Sequence, residues 1–167
     1  MSKTALRKEL EQMTAAQLRD IILDAYGARP EIKEYFEFFL NPDADKLIER
    51  QSALAARELT RIKWGRSRAR ATVLKRLVRN VVSLNPGPEA EMRMMMEVLS
   101  AIGSTACYVD LTAPLENYAV ALARCILDTG ERAMLADKAH TMLDAFLTDS
   151  TYRLAFRRFI AENIGKM

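Results

Sequence analysis

The chain is poor in helix breakers, histidine and cysteine. Six Gly and five Pro among 167 residues leave room for long helices between them. Only one His is present, and the two cysteines, Cys107 and Cys125, form no CxxC pair. A structural zinc site takes about four Cys or His ligands, which these three residues cannot supply. The two thiols are expected to be reduced and buried. No stretch alternates apolar and polar residues with the period of a strand. There is no Gly-rich phosphate loop, no GxSxG and no HExxH, so the commonest signatures of nucleotide, ester and peptide chemistry are missing. No run approaches the roughly 18 uncharged apolar residues of a membrane span; the best, Tyr118 to Leu127, contains Arg124. No apolar run follows the basic residues of the opening MSKTALRKEL, so no secretory leader is expected. These absences point to a cytoplasmic protein with no membrane association, no cofactor, no metal and no recognisable catalytic residues.

Half of the residues are apolar and 28% are charged, a globular composition. The length suits a single helical domain over 1–167, with an N-terminal helical pair over 1–28 and helical hairpins over 29–167. Starts and stops are well marked. A first helix covers about Lys3 to Glu11. Thr14 and Gln17 form a capping box for a second, which Gly27 is expected to end. Pro30 opens a third, carrying Ile32, Tyr35, Phe36, Phe39 and Leu40. Asn41-Pro42 leads into a helix running to about Trp64, where Gly65 breaks it. Further helices are expected over about Ser67 to Leu84, Glu89 to Ile102, Pro114 to Asp128, Glu131 to Leu147 and Ser150 to Ile164. The connector from Gly103 to Leu111 is expected to be irregular. The fold class is therefore all-α with about eight helices. Turns at Asn41-Pro42, Asn85-Pro86 and Asp128–Gly130 lie about 44 and 43 residues apart, close to the period of about 40 to 47 of HEAT and armadillo repeats. Each helical hairpin would bury its apolar face only against a neighbour. The two architectures to weigh are a solenoid-like stack of hairpins and an irregular bundle.

Charge is the one strong asymmetry. Net charge is +3, yet Arg57, Arg61, Lys63, Arg66, Arg68, Arg70, Lys75, Arg76 and Arg79 crowd one segment with a single acid, Glu58. On a helical wheel Arg68, Lys75, Arg76 and Arg79 lie opposite the apolar stripe Val73, Leu74, Leu77, Val78, Val81 and Val82 and form a solvent-facing row. Arg66 and Arg70 fall at or just before the first turn, where positive charge opposes the helix dipole. A bound polyanion would explain that placement, since nucleic-acid phosphates are held by Arg and Lys rows, and Trp64 beside the row could stack on a base. The bland alternative is a solvated face neutralised by acids of neighbouring helices. An acidic protein partner is the third reading.

Two other clusters are candidates. Met92, Met94, Met95 and Met96 could offer soft thioethers to Cu(I) or a groove to a partner, but Met at this spacing reads first as core. Asp137, His140 and Asp144 share one helix face, a pattern that could tune an imidazole; one helix supplies too few groups for a metal, and a solvated face is the plain reading.

The opening pattern is Leu6, Leu10, Met13-Thr14, Gln17-Leu18, Ile22 and Tyr26, followed by Tyr35-Phe36 and the turn Leu40-Asn41-Pro42. It resembles the start of an uncharacterised bacterial family of small all-helical proteins, a domain of unknown function. The resemblance covers about the first third of the chain. Its residues pack and cap helices, so it implies a helical fold and no catalytic residues. The spaced leucines of the first two helices are also similar to small DNA-binding SAP-type modules. This chain lacks their usual Gly between helices and places Asp20 and Asp24 on the second. The reading carried forward is a non-enzymatic helical scaffold. It binds an unidentified protein partner through a basic surface made of Arg66, Arg68, Arg70, Lys75, Arg76, Arg79 and Trp64. Nucleic-acid binding through Arg57 to Arg79 and a small enzyme with an Asp/His site are the alternatives; the oligomeric state stays open.

Overall fold

Helix after helix follows from the caps and breakers of the sequence, and the computed structural model, which describes residues 2–165, is all-α apart from one small β-hairpin. Nine helices occur among the described residues, where about eight were expected: α1 (Lys3–Glu11), α2 (Ala15–Ala28), α3 (Pro30–Leu40), α4 (Ala44–Leu59), α5 (Ala71–Ser83), α6 (Pro88–Ala106), α7 (Ala113–Arg132), α8 (Ala136–Thr148) and α9 (Leu154–Ile164). The strands β1 (Ile62–Lys63) and β2 (Arg66–Ser67) lie between α4 and α5. The contacts divide the chain into two compact units, one ending at Pro42 and the other beginning at Asp43.

The first unit holds α1 to α3. The Ser2 hydroxyl accepts from the Ala5 N–H at 3.2 Å and caps α1. The expected capping box opens α2: the Gln17 N–H donates to the Thr14 hydroxyl (3.3 Å), and the Thr14 N–H donates to the Gln17 side chain (2.9 Å). Gly27 does not end α2; the helix continues to Ala28, and extended Arg29 is both its C-cap and the N-cap of α3. Pro30 takes the first turn of α3, where its missing N–H costs nothing. Tyr35 stacks on Phe39 (centroids 6.2 Å apart) and meets Phe36 edge-on. No residue of α1, α2 or α3 is buried.

The second unit holds the core. Asp43, rather than Asn41-Pro42, caps α4 by accepting from the Lys46 N–H at 2.9 Å. From α4 to α9, each helix packs on the next and on the next but one, and α6 also touches α9. α6 is therefore central: Met92, Met94, Val98, Leu99 and Ile102 are fully buried along it. The core reading of the methionines fits, with Met94 and Met95 inside and Met96 half-buried. Leu115, Ala119, Ala123 and Ile126 of α7 complete the packing. Cys107 and Cys125 are exposed, not buried as expected; the Cys107 thiol donates to the Gly103 and Thr151 carbonyls. Among the described residues, no helix is long and apolar enough to cross a membrane.

Two expected breaks are not breaks. α6 runs through Gly103 to Ala106, and α7 runs through Asp128–Gly130 to Arg132. Gly130 is there for close packing: a Cβ at this position would lie 2.5 Å from the Ala139 Cβ of α8. The chain turns a few residues later, where Met134 adopts a left-handed φ of 58°. Gly130→Ala should therefore destabilise the second unit by about 1–3 kcal/mol despite the better helix propensity of Ala. Urea denaturation followed by far-ultraviolet circular dichroism checks this; an unchanged midpoint would contradict the packing argument.

Candidate functional site

The basic segment is not one long helix face. α4 stops at Leu59 and α5 starts only at Ala71, against expected boundaries near Trp64 and Ser67. The intervening residues fold into an antiparallel hairpin in which Ile62 faces Ser67 and Lys63 faces Arg66. Its two-residue turn is Trp64-Gly65, with φ of 51° and 69°. Positive φ at both central residues is the type I′ pattern, whose twist matches that of paired strands. Gly at the second position takes that conformation without strain. Trp64 does so at a cost, because a bulky side chain rarely adopts the left-handed region. Asp110 joins the edge of the hairpin: the Ser67 N–H donates to its carbonyl (3.0 Å), and its own N–H donates to the Gly65 carbonyl (3.2 Å).

Glu58 holds this arrangement in place. One of its carboxylate oxygens accepts from Arg61 Nη1 (2.9 Å), from the Arg70 backbone N–H (2.9 Å) and from Arg70 Nε (3.2 Å). The side chain is only 10% exposed. Burial is the largest influence on its ionisation and pushes the pKa up. The hydrogen bonds from the Arg70 backbone, the Arg70 side chain and Arg61, together with the charge of Arg61, outweigh it, and the net value lies below the ordinary 4.5.

Arg70 is the N-cap residue of α5 and has no side-chain cap of its own. The unfavourable cation at the helix start is thus answered from within the fold, by the one acid of the basic run. For Arg70 the partner is thus an acid of the fold, the alternative to an outside polyanion. Arg66 lies in β2, and Arg68 lies between β2 and α5 rather than on the helical row; its N–H donates to the Arg61 carbonyl. Lys75, Arg76 and Arg79 do form an exposed row on α5. Lys75 reaches over the ring of buried Tyr118 (5.5 Å). Among the described residues, none of Arg57, Lys63, Arg66, Arg68, Lys75, Arg76 and Arg79 enters an ion pair. Trp64 is 85% exposed at the hairpin tip, with Lys63 Nζ 4.4 Å from its ring centre.

Beside the hairpin lies an open apolar cleft of about 380 Å³, lined by Ala56 and Leu59 of α4, its C-cap Thr60, Ile62 of β1, Ala101, Ser104 and Thr105 of α6, and Tyr108. Neither the cleft nor the role of Glu58 was foreseen. The signal available was the single acid, Glu58, among nine cations. Asp137, His140 and Asp144 are all exposed on α8. Among the described residues, no group of three or more His, Cys, Asp or Glu is placed to hold a metal ion.

A family model described as a family of unknown function, DUF6155, matches residues 1–101. The chain belongs to this family. The DUF6155 match takes in Glu58, the hairpin, α5 and most of α6, well beyond the opening pattern on which the resemblance rested. No curated protein and no solved structure matches the chain.

Glu58→Ala should cost about 1–3 kcal/mol at neutral pH, because it removes the charge-assisted hydrogen bonds from Arg61 and from the Arg70 backbone and side chain. The sign with pH follows from the lowered pKa. The stabilisation is fully present above the unfolded value and is lost as pH falls through the folded value. Urea midpoints measured from pH 7 down to the acid limb should converge between wild type and Glu58→Gln. A constant gap would contradict a charge-based role.

Proposed function

We propose that this chain is a non-enzymatic helical scaffold that binds a protein partner through the basic surface of the hairpin and α5. The observation that carries the reading is that one continuous segment presents Trp64, Arg66, Arg68, Lys75, Arg76 and Arg79 to solvent, with none of these cations in an ion pair among the described residues. Unpaired cations beside an exposed aromatic side chain suit an acidic partner, since charge steers the encounter and the ring supplies contact area. Arg70 is left out of this set, because Glu58 already engages it.

A scaffold role also agrees with the packing order of the second unit. Contacts of each helix with the next and the next but one are what stacked hairpins produce, which supports a HEAT-like stack of α4–α5, α6–α7 and α8–α9 over an irregular bundle. The breaks between these pairs carry the left-handed residues Asn85, Gly87 and Met134. The second reading is nucleic-acid binding, favoured by the accessible Trp64 ring next to Lys63. The apolar cleft beside the hairpin favours a protein, because phosphates and sugars would leave it unused.

Fluorescence anisotropy with labelled polyglutamate and with mixed short RNA and DNA, at low and near-physiological salt, separates the readings. Binding of polyglutamate that falls about tenfold or more in the Arg68→Ala/Arg79→Ala double variant, with unchanged circular dichroism, is expected. Tight binding of RNA or DNA with a steep salt dependence would replace the first reading by the second. Binding of neither would remove the basic surface as a recognition face.

A further inference from the structure

We infer that the apolar stripes of α2 and α3 are covered by the same stripes of a second copy of this chain, so that the protein is a homodimer through its first unit. This is independent of the basic surface of the second unit.

At helical spacing, Leu18, Ile21, Ile22 and Ala25 line one side of α2. Ile32, Tyr35, Phe36 and Phe39 line one side of α3, with Leu40 one turn beyond Phe36. A stripe of this kind is what a helix buries, yet no residue of either helix is buried. Phe39 is 66% and Leu40 70% exposed, and Ile21, Ile22 and Tyr35 are nearly half exposed. The Tyr26 hydroxyl donates to the Glu37 carboxylate (3.5 Å), and Lys33 Nζ stands 5.9 Å from the Tyr26 ring centre. At about 100° per residue, Lys33 and Glu37 lie more than roughly 90° round α3 from the middle of its stripe. These contacts between the two helices are therefore off the stripes, and the packing of α2 on α3 leaves the stripes open.

The open area is what a stable dimer needs. At about 200 Å² for a large apolar side chain, Ile21, Ile22, Tyr35, Phe39 and Leu40 together leave roughly 500 Å² in water. A stable protein–protein contact covers about 800 Å² of each partner, roughly 60% of it apolar. These side chains supply that apolar share.

Charge and size point to a second copy as the occupant. Residues 1–42 carry six basic and seven acidic side chains, a net −1. Two copies therefore meet without strong repulsion, and no excess of one sign selects a charged partner. A unit of about 40 residues seldom holds together without a disulfide, a metal or oligomerisation. This one has no Cys and no His, and among the described residues no group of acids is placed to hold a metal. Oligomerisation is what is left. The cover must be present whenever the chain is, and a second copy meets that condition. In a two-fold pair each stripe meets its own equivalent.

Light scattering on the full chain, at low and high micromolar concentration, tests this. The mass should rise to twice that of one chain. Amide hydrogen exchange in α2 and α3 should slow as concentration rises, while exchange in α6 stays unchanged. Ile22→Glu with Phe39→Glu should raise the dimer dissociation constant about a hundredfold or more. Arg68→Ala with Arg79→Ala should leave it unchanged. A single-chain mass at every concentration would overturn the inference and leave the basic-surface reading standing. A dimer whose exchange slows elsewhere than in α2 and α3 would overturn it too. So would a dimer that survives Ile22→Glu/Phe39→Glu or is lost in Arg68→Ala/Arg79→Ala. If the Ile22/Phe39 variant loses helicity, the exchange measurement decides, because it is made on the unaltered chain.

Discussion

The second unit turns on one carboxylate. Glu58 sits near the end of α4, and its oxygen gathers three donors from Arg61 and Arg70. These donors lie on either side of the hairpin, so the interaction fixes where α4 stops, how the hairpin leaves it and where α5 begins. A buried carboxylate is costly unless its lone pairs are engaged by donors, preferably charged ones. Glu58 meets that condition in this geometry. The same contact makes a cation tolerable at the start of α5, where the helix dipole would otherwise oppose it. It also divides the basic run in two: Arg61 and Arg70 serve the fold, and the cations beyond them are left to solvent.

Around that joint the burial is uneven. α6 and α7 supply most of the fully buried side chains, and α6 meets every other helix of the second unit. Close approach within this core is set by small residues as much as by large ones. At Gly130 no side chain would fit against Ala139, which is why a residue that usually ends helices sits inside one. The first unit is held differently. Its helices are short, none of their residues is buried, and Leu23, Phe39 and Leu40 are more than half exposed. Helices of 9 to 14 residues are marginal by themselves, so the caps at Ser2 and Thr14, the Pro30 start and the packing of α2 on α3 carry more of the stabilisation there.

How legible each part was in the sequence follows from whether its cause is local. The Thr14–Gln17 capping box, the Pro30 start and the apolar stripe of α5 are encoded by residues within one or two turns, and all three are present as read. Gly103 and Gly130 misled because a glycine can end a helix or admit a neighbour, and only the tertiary packing decides which. The hairpin was missed because two-residue strands are too short to show alternation, and Trp-Gly is not the Asn-Gly pair that announces a type I′ turn. For the candidate site, the identities of the cations were legible but their states were not. Whether Arg70 is neutralised depends on Glu58, twelve residues away, and the cleft depends on α6, some forty residues further on.

Trp64 is the strongest support for the proposed binding surface. Asn in its place would suit the left-handed turn better and avoid the cost of about 1–2 kcal/mol that a bulky side chain meets there. Burial offers no compensation, since the ring is 85% exposed. Its one contact of note is Lys63 at 4.4 Å, and a cation over an exposed ring contributes only about 0.5–1 kcal/mol. Internal stability therefore does not account for Trp64. A partner that covers the ring would, because the apolar area is then removed from water and Lys63 meets an acid. Strained backbone that displays a large aromatic side chain, next to cations with no ion-pair partner among the described residues, supports the proposed binding surface.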